Sequence, residues 1–225
     1  MRQCGFCEKR GNALLDWSWW WSATPSLLCE DCQSSFEKVT AGCIRCAKAI
    51  NEVGVCLECQ DWERHYPNLL ERNVSLYRYN AFMKSYLSQW KFSGDYVLGQ
   101  LFVSQWRDFF HRQFPQAEAI APIPLTEERR KQRKFNQAYQ LAALLEVPKI
   151  IESERYKEGQ QSAKGRVERL DMDDGSWVKL LSANLPKSIV IIDDVYTTGA
   201  TVHQFAKTLR GAGVLEVASC TLIRA

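Results

Sequence analysis

Eight of the nine cysteines in this 225-residue chain fall in pairs with two residues between the partners: Cys4/Cys7, Cys29/Cys32, Cys43/Cys46 and Cys56/Cys59. That spacing lets both thiolates of a pair turn toward one ion, and a tetrahedral zinc takes two such pairs. Four pairs therefore supply two zinc ions with no ligand left over. Taken in chain order, Cys4, Cys7, Cys29 and Cys32 form one site, and Cys43, Cys46, Cys56 and Cys59 the other. An interleaved cross-brace fits the same spacing, although the short loops between the last two pairs favour the sequential assignment. Redox pairs or scattered buried thiols are the plainer alternatives. One pair alone leaves them open; four within the first 59 residues weigh against them. His65 follows closely, but eight thiolates already fill two sites. Cys220, inside the apolar run Val217 to Ile223, reads as a core residue.

The second chemical cluster lies near the other end, in the stretch IVIIDDVYTTGAT from Ile189 to Thr201. Four aliphatic residues lead into two adjacent carboxylates, Asp193 and Asp194, and then a small-residue turn rich in hydroxyls. An acidic pair at the end of a buried strand suits two vicinal hydroxyls, or a magnesium held between the carboxylates. Gly199 permits close backbone approach, the threonines donate, and the start of the following helix offers free N–H groups to a phosphate. Together these describe a site for a phosphorylated sugar. A plain turn capped by Asp and Thr accounts for one residue of each type but not for the whole arrangement.

The elements around these clusters alternate. Phe82, Met83, Tyr86, Leu87 and Trp90 recur at helical spacing, and a second helix is expected to carry Leu98, Leu101, Phe102, Trp106, Phe109 and Phe110, stopping before Pro115. Ala119 to Pro124 reads as a short buried strand, Asn136 to Leu145 as a helix, and Lys149 to Ile151 as a short strand. Ser153 to Gly165 is polar without an apolar period and is expected to be a long mobile loop. A strand over 188–193 ending at the acidic pair, a helix from about Thr201 to Arg210 and a final strand to Ile223 complete the chain. Continuously apolar strands alternating with helices predict an α/β fold whose parallel sheet is covered on both faces. The cysteines stop at Cys59, so a boundary follows: residues 1–62 as a cysteine-rich double zinc-binding domain with metal ligation as its core, and 63–225 as the α/β domain.

Composition narrows the setting. The amino-terminal segment MRQCGFCEKR lacks the apolar core of a secretory signal, and no run approaches the roughly 18 apolar residues of a spanning helix. The Trp17, Trp19, Trp20, Trp21 patch is too short for one; it reads equally as a partner-docking patch or as packing between the domains. The expectation is a cytoplasmic protein without membrane insertion, where structural disulfides are rare. A net charge of +3 selects no partner class by itself.

The run Val190 to Thr201 resembles the phosphoribosyl pyrophosphate (PRPP) motif of type I phosphoribosyltransferases. The likeness extends to the ComF/GntX family, which joins a cysteine-rich zinc domain to a phosphoribosyltransferase-like domain. Lys91-Phe92-Ser93-Gly94-Asp95 is similar to its Lys-Phe-x-Gly-Asp element, and Pro122-Ile123-Pro124-Leu125 to its pyrophosphate-loop strand end. Arg133-Lys134-Phe135-Asn136-Gln137-Ala138 resembles its Arg-Gly-Phe-Asn-Gln-Ala, with Lys134 in place of the usual glycine. Gln161, Arg166 and Arg169 match its loop and helix, while Met172 stands where asparagine is usual.

The resemblance implies a type I phosphoribosyltransferase-like sheet behind a small double zinc-ribbon-like domain. It implies that Asp193 and Asp194 meet the ribose hydroxyls as the catalytic carboxylates, with Val195, Tyr196, Thr197, Thr198, Gly199, Ala200 and Thr201 around the 5-phosphate. Pro122 and Ile123 complete the PRPP contacts, and magnesium accompanies that ligand beside the two structural zinc ions. Arg129, Arg130, Lys131, Arg133, Lys134 and Lys91 become candidates for binding pyrophosphate or nucleic-acid phosphates, and Arg155, Lys157 and Lys164 could close over the site.

Two functions then compete. The resemblance implies the first, a late-competence role in natural transformation with PRPP-like ligand, incoming single-stranded DNA and a ComFA-type helicase as partners, and no acceptor signature accompanies the turn. Basic and aromatic residues interleaved over Tyr77-Arg78-Tyr79, Phe82, Lys84 and Trp90-Lys91-Phe92 fit base stacking with phosphate neutralisation, but the favoured alternative is a helix core with solvated or pyrophosphate-facing charges. The second is an active phosphoribosyltransferase with an unidentified acceptor.

Overall fold

The computed structural model describes residues 2–11, 28–92, 96–155 and 177–225. The tryptophan patch at 17–21 and the positions Ser93 to Asp95, Lys157, Gln161, Lys164, Arg166, Arg169 and Met172 lie outside them.

Five parallel strands form the central sheet, in the order β3 (Asn73–Arg78), β9 (Glu216–Arg224), β8 (Ser188–Tyr196), β4 (Ala119–Pro122), β5 (Lys149–Ile150). Every strand is parallel, so each crossover must leave the sheet plane, and helices cover both faces. The two-residue alternation of strand side chains sorts the apolar residues accordingly. Ile120, Val190, Ile192, Cys220 and Leu222 face one way, into a core with α3 (Ala81–Phe92), α4 (Val103–Gln113) and α6 (Gln137–Ala143). Ala119, Ala121, Ile189, Ile191 and Val217 face the other way, against α7 (Ala200–Gly211) through Val202, Phe205, Ala206 and Leu209. The expected α/β architecture is what forms, and Cys220 is fully buried in the first core.

The amino-terminal region wraps the β3 edge. A two-stranded ribbon, β1 (Arg2–Gln3) with β2 (Arg10–Gly11), precedes α1 (Glu30–Ser34) and α2 (Leu57–His65). Its backbone closes the edge: Val39 N–H donates to Leu76 O at 3.0 Å, and Arg78 N–H to Glu37 O at 2.8 Å. An open parallel edge is a template for aggregation, and this segment occupies it.

Three expectations need correction. The strand carrying the acidic pair does not stop there but runs on to Tyr196, because its ladder with β9 continues through Asp193–Thr221, Val195–Ile223 and Tyr196–Arg224. The expected single helix over Leu98 to Phe110 is broken: a 3-10 turn spans Tyr96–Gln100 before α4 begins at Val103. Gly99 lies against the Gln140 side chain so closely that a Cβ there would overlap it. The expected loop from Ser153 begins as a strand, β6 (Ser153–Arg155), antiparallel to β7 (Val178–Leu180).

Candidate functional site: an acidic pair, a carbonyl-anchored turn and two cysteine tetrads

The acidic pair sits on the last turns of β8, beside the end of β4 and below α5 (Glu127–Arg133). Asp194 N–H donates to Asp193 Oδ1 at 2.9 Å, and Lys91 Nζ forms an ion pair with Asp194 Oδ2. Lys91 thus belongs to the acidic pair as it stands in this structure. Burial, then the neighbouring Asp194 charge, pushes the Asp193 carboxyl from its usual range up to about 8. Cations close the site from the other side. Arg133 lies in the field of both carboxylates, and burial lowers its pKa. Arg155 is lowered to about 10, chiefly by burial and further by Arg129, while Asp193 opposes the shift. It stays charged near neutrality. Its Nε donates to Pro124 O at 3.0 Å, and its guanidinium stacks 4.2 Å from the Trp177 ring centroid, so the β6 residue is fixed beside the β4 end.

The β4 end and α6 are tied together by one side chain. Asn136 caps α6, accepting from Ala138 N–H at 2.9 Å, while its Nδ2 donates to Ile123 O at 3.0 Å. Just before it, Lys134 adopts φ 64°, the left-handed conformation that ends α5. That conformation explains why glycine suits this position: a side chain there carries a steric cost.

The turn after β8 is anchored by its carbonyls. Tyr196 O accepts from Ala225 N–H at 3.0 Å and from an Arg224 Nη at 3.1 Å; Thr197 O accepts from the same nitrogen at 2.9 Å. Thr198 O accepts from Trp62 Nε1–H at 2.9 Å. Gly199 O accepts from His203 N–H at 2.9 Å and lies 2.9 Å from His203 Nδ1. A carbonyl only accepts, so the His203 proton sits on Nδ1; burial lowers this imidazole's pKa and keeps it neutral. With four consecutive carbonyls turned inward, the N–H groups of Thr197, Thr198, Gly199 and Thr201 have no acceptor among the described residues. Gly199 has φ 84°, and a Cβ there would overlap the Tyr196 hydroxyl. Free N–H groups at the start of a helix are of the kind that can receive an anion.

The cysteines gather in chain order. Cys4, Cys7, Cys29 and Cys32 form one group and Cys43, Cys46, Cys56 and Cys59 the other, with sulfurs in each within 4.8 Å of one another. Four sulfurs about 2.3 Å from a common ion lie roughly 3.8 Å apart. The Cys7–Cys29 and Cys46–Cys56 separations of 3.7 and 3.6 Å match. Backbone N–H groups of Cys29 and Cys56 point at Cys4 Sγ and Cys43 Sγ, at 3.4 and 3.3 Å, as in a thiolate knuckle. Both groups fit zinc, and His65 takes no part in either. No described helix is long and apolar enough to cross a membrane.

The basic residues divide. Arg129, Arg130, Lys131 and Lys134 are exposed on and beside α5, whereas Arg133 turns toward the carboxylates. Of the interleaved aromatics, Tyr77 and Trp90 are buried in the first core, which removes them as a stacking surface. The exposed rings near α5 are Tyr96 and Tyr139, and Tyr96 meets Phe135 edge-on at 5.4 Å. The sequence reading missed Trp62 and Arg224, because nothing in local spacing announces a contact made across 136 or 27 residues.

The model for the phosphoribosyl transferase domain family matches residues 135–225. The chain is 35% identical to competence protein ComFC of Bacillus subtilis (strain 168), over 98% of this chain and 94% of that protein. It is 33% identical to competence protein ComFC of Streptococcus pneumoniae (strain ATCC BAA-255 / R6), over 88% of each. Competence protein F of Haemophilus influenzae is 26% identical over 88% of this chain and 96% of its own length. Among solved structures, orotate phosphoribosyltransferase from Aeropyrum pernix overlaps 63% of each chain at 18% identity and a TM-score of 0.37. Purine phosphoribosyltransferase from Pyrococcus horikoshii Ot3 overlaps 55% of this chain and 82% of its own at 14% identity and 0.34. Those two likenesses add nothing to the strand order described above. The near-full-length similarity to the curated relatives is decisive: the chain belongs to the ComF family of competence proteins, with a phosphoribosyltransferase domain following its two cysteine tetrads.

Proposed function

We propose that this protein serves DNA uptake as a PRPP-responsive adaptor. The turn Thr197–Thr201 takes the 5-phosphate, Asp193 and Asp194 take the ribose hydroxyls, and magnesium with the pyrophosphate lies toward Pro122, Ile123 and the Arg129, Arg133, Arg155 side. The observation that carries this reading is the turn itself, where four inward carbonyls leave N–H groups unpaired beside a carboxylate pair. The single-stranded DNA surface is assigned to the exposed charges Arg129, Arg130, Lys131 and Lys134, with Tyr96 and Tyr139 as stacking rings. A ComFA-type helicase is the protein partner in this reading, and the cytoplasm its site of action.

Transfer of the ribosyl group is the second reading. Lys91, Arg133 and Arg155 around the acidic pair are placed to offset charge on a departing pyrophosphate, which is where such a reaction needs help. Calorimetric titration of the zinc-loaded protein with PRPP and magnesium tests the shared part. Binding that disappears in Asp193→Asn with Asp194→Asn supports it; no heat from the unaltered protein removes it. Steady pyrophosphate release with an identified acceptor raises the transferase reading above the adaptor.

A further inference from the structure

The turn is held from behind, and the holding groups lead to the second cysteine tetrad. Trp62, which donates to Thr198 O, lies on α2 three residues after Cys59, and α2 has Cys56 as its N-cap. The same indole stacks flat on His203, with ring centroids 4.0 Å apart and planes 9° from parallel. Arg224, which donates to Tyr196 O and Thr197 O, reaches the tetrad directly. Its Nε donates to Cys46 O at 2.9 Å, and its second terminal nitrogen stands 3.6 Å from Cys46 Sγ. Glu58, between the ligands Cys56 and Cys59, lies 3.8 Å from that guanidinium. Cys59, Trp62, Tyr196 and His203 line one small cavity at this junction.

A nine-residue helix is marginal on its own, and α2 has no side-chain cap at its start. Ligation of Cys56 and Cys59 therefore fixes where α2 points, and with it the Trp62 indole. Ligation of Cys43 and Cys46 likewise fixes the Cys46 carbonyl to which Arg224 is anchored. Among the described residues the first tetrad has no such route. Phe6, between Cys4 and Cys7, packs on Phe82 and Tyr86 at 4.9 and 5.8 Å, on the opposite face of the sheet.

We propose that metal at the Cys43, Cys46, Cys56, Cys59 site sets the shape of the phosphate-accepting turn, with Trp62 and Arg224 as positioning residues, and that the first site does not. For ligand affinity this rests on the reading of the turn as a sugar-phosphate grip; for the turn's order it stands alone. The test is backbone 15N relaxation on the zinc-loaded full chain, reading the amides of Thr197, Thr198 and Gly199 and the Trp62 indole N–H. In the unaltered protein the turn amides have order parameters near about 0.85, and in Trp62→Phe and Arg224→Lys they fall toward about 0.6. Cys7→Ser leaves them unchanged. Both positioning variants keep all eight thiolates, so a folded, zinc-loaded sample is available even where Cys59→Ser unfolds. A PRPP titration with magnesium on the same samples weakens by about five-fold in Trp62→Phe, the effect of one lost hydrogen bond. Equal order in both positioning variants, or equal loosening in Cys7→Ser, overturns the inference. If the order falls as expected but the unaltered protein ignores PRPP, the ligand assignment fails and the tether from the second tetrad to the turn through Trp62 and Arg224 remains.

Discussion

The two cysteine tetrads have the same ligands and the same two-residue spacing within each pair, yet they are attached to the rest of the molecule in different ways. The first meets α3 through aromatic side chains, Phe6 and Phe36 packing on Phe82 and Tyr86. The hydrogen bonds that follow it in the chain, at Ser35, Glu37 and Val39, lead to the β3 edge and the start of α3, away from the turn. The second is entirely buried, shares a core with α7, and is joined to the turn after β8 by directed hydrogen bonds from Trp62 and Arg224. Apolar packing is non-directional and tolerates small shifts, whereas a hydrogen bond fixes a particular atom. The contrast separates a site that stabilises from a site that also shapes.

The largest effect expected from this contrast is on folding. Cys59→Ser opens the second tetrad inside a core, where metal ligation contributes much of the local folding energy, so the cooperative melt is lost. Cys7→Ser, on the half-exposed tetrad, lowers the melting temperature by only a few degrees. Zinc content by atomic absorption and thermal melts followed by circular dichroism read both, and equal damage from the two variants removes the distinction. Next in size, Gly199→Ala drives a Cβ into the Tyr196 hydroxyl at φ 84° and weakens PRPP binding by on the order of tenfold or more, with zinc content unchanged. Retained affinity would show that the turn is not held as tightly as its carbonyls imply.

A pH titration gives a smaller, signed effect. Asp193 keeps its proton up to about pH 8 in the unliganded fold, against 3.8 as a free side chain. Ribose hydroxyls and magnesium favour the ionised carboxylate, so PRPP affinity rises as pH climbs through about 8 and then levels. Stability of the unliganded fold runs the other way. The raised pKa contributes stability that is complete below 3.8 and is lost as pH passes through about 8. Asp193→Asn flattens both curves, measurable by calorimetry and melts across the range. The smallest effect is at α5: Lys134→Gly relieves the left-handed residue at φ 64° and stabilises by about 0.5 kcal/mol, roughly one or two degrees in the melt. A loss of stability there would mean that the Lys134 side chain contributes something its backbone cost conceals.

The legible part of the molecule was the part written in local chemistry. Cysteine spacing gave two four-cysteine sites and favoured the sequential membership that forms without excluding an interleaved one, and the aliphatic run into Asp193 and Asp194 gave the strand and the turn. Register was harder: nothing between Ile192 and Tyr196 tells a strand to continue, because continuation depends on the partner ladder from β9. The 3-10 break at Gly99 depends on Gln140, forty-one residues on, and apolar periodicity ran straight across it. Tyr77 and Trp90 looked suited to stacking bases because aromatic residues are alike in sequence whether they face a core or a ligand. Trp62 and Arg224 were invisible for the opposite reason, since each is an ordinary residue whose role comes from where the chain brings it.

Both readings of the site depend on the turn being a sugar-phosphate grip. Isothermal titration of the zinc-loaded full-length protein with PRPP and magnesium, beside Asp193→Asn with Asp194→Asn, tests it. Saturable one-to-one binding is expected from the unaltered protein, with a loss of at least about tenfold in the double variant. Absence of binding by the unaltered protein, or equal binding by both, contradicts it.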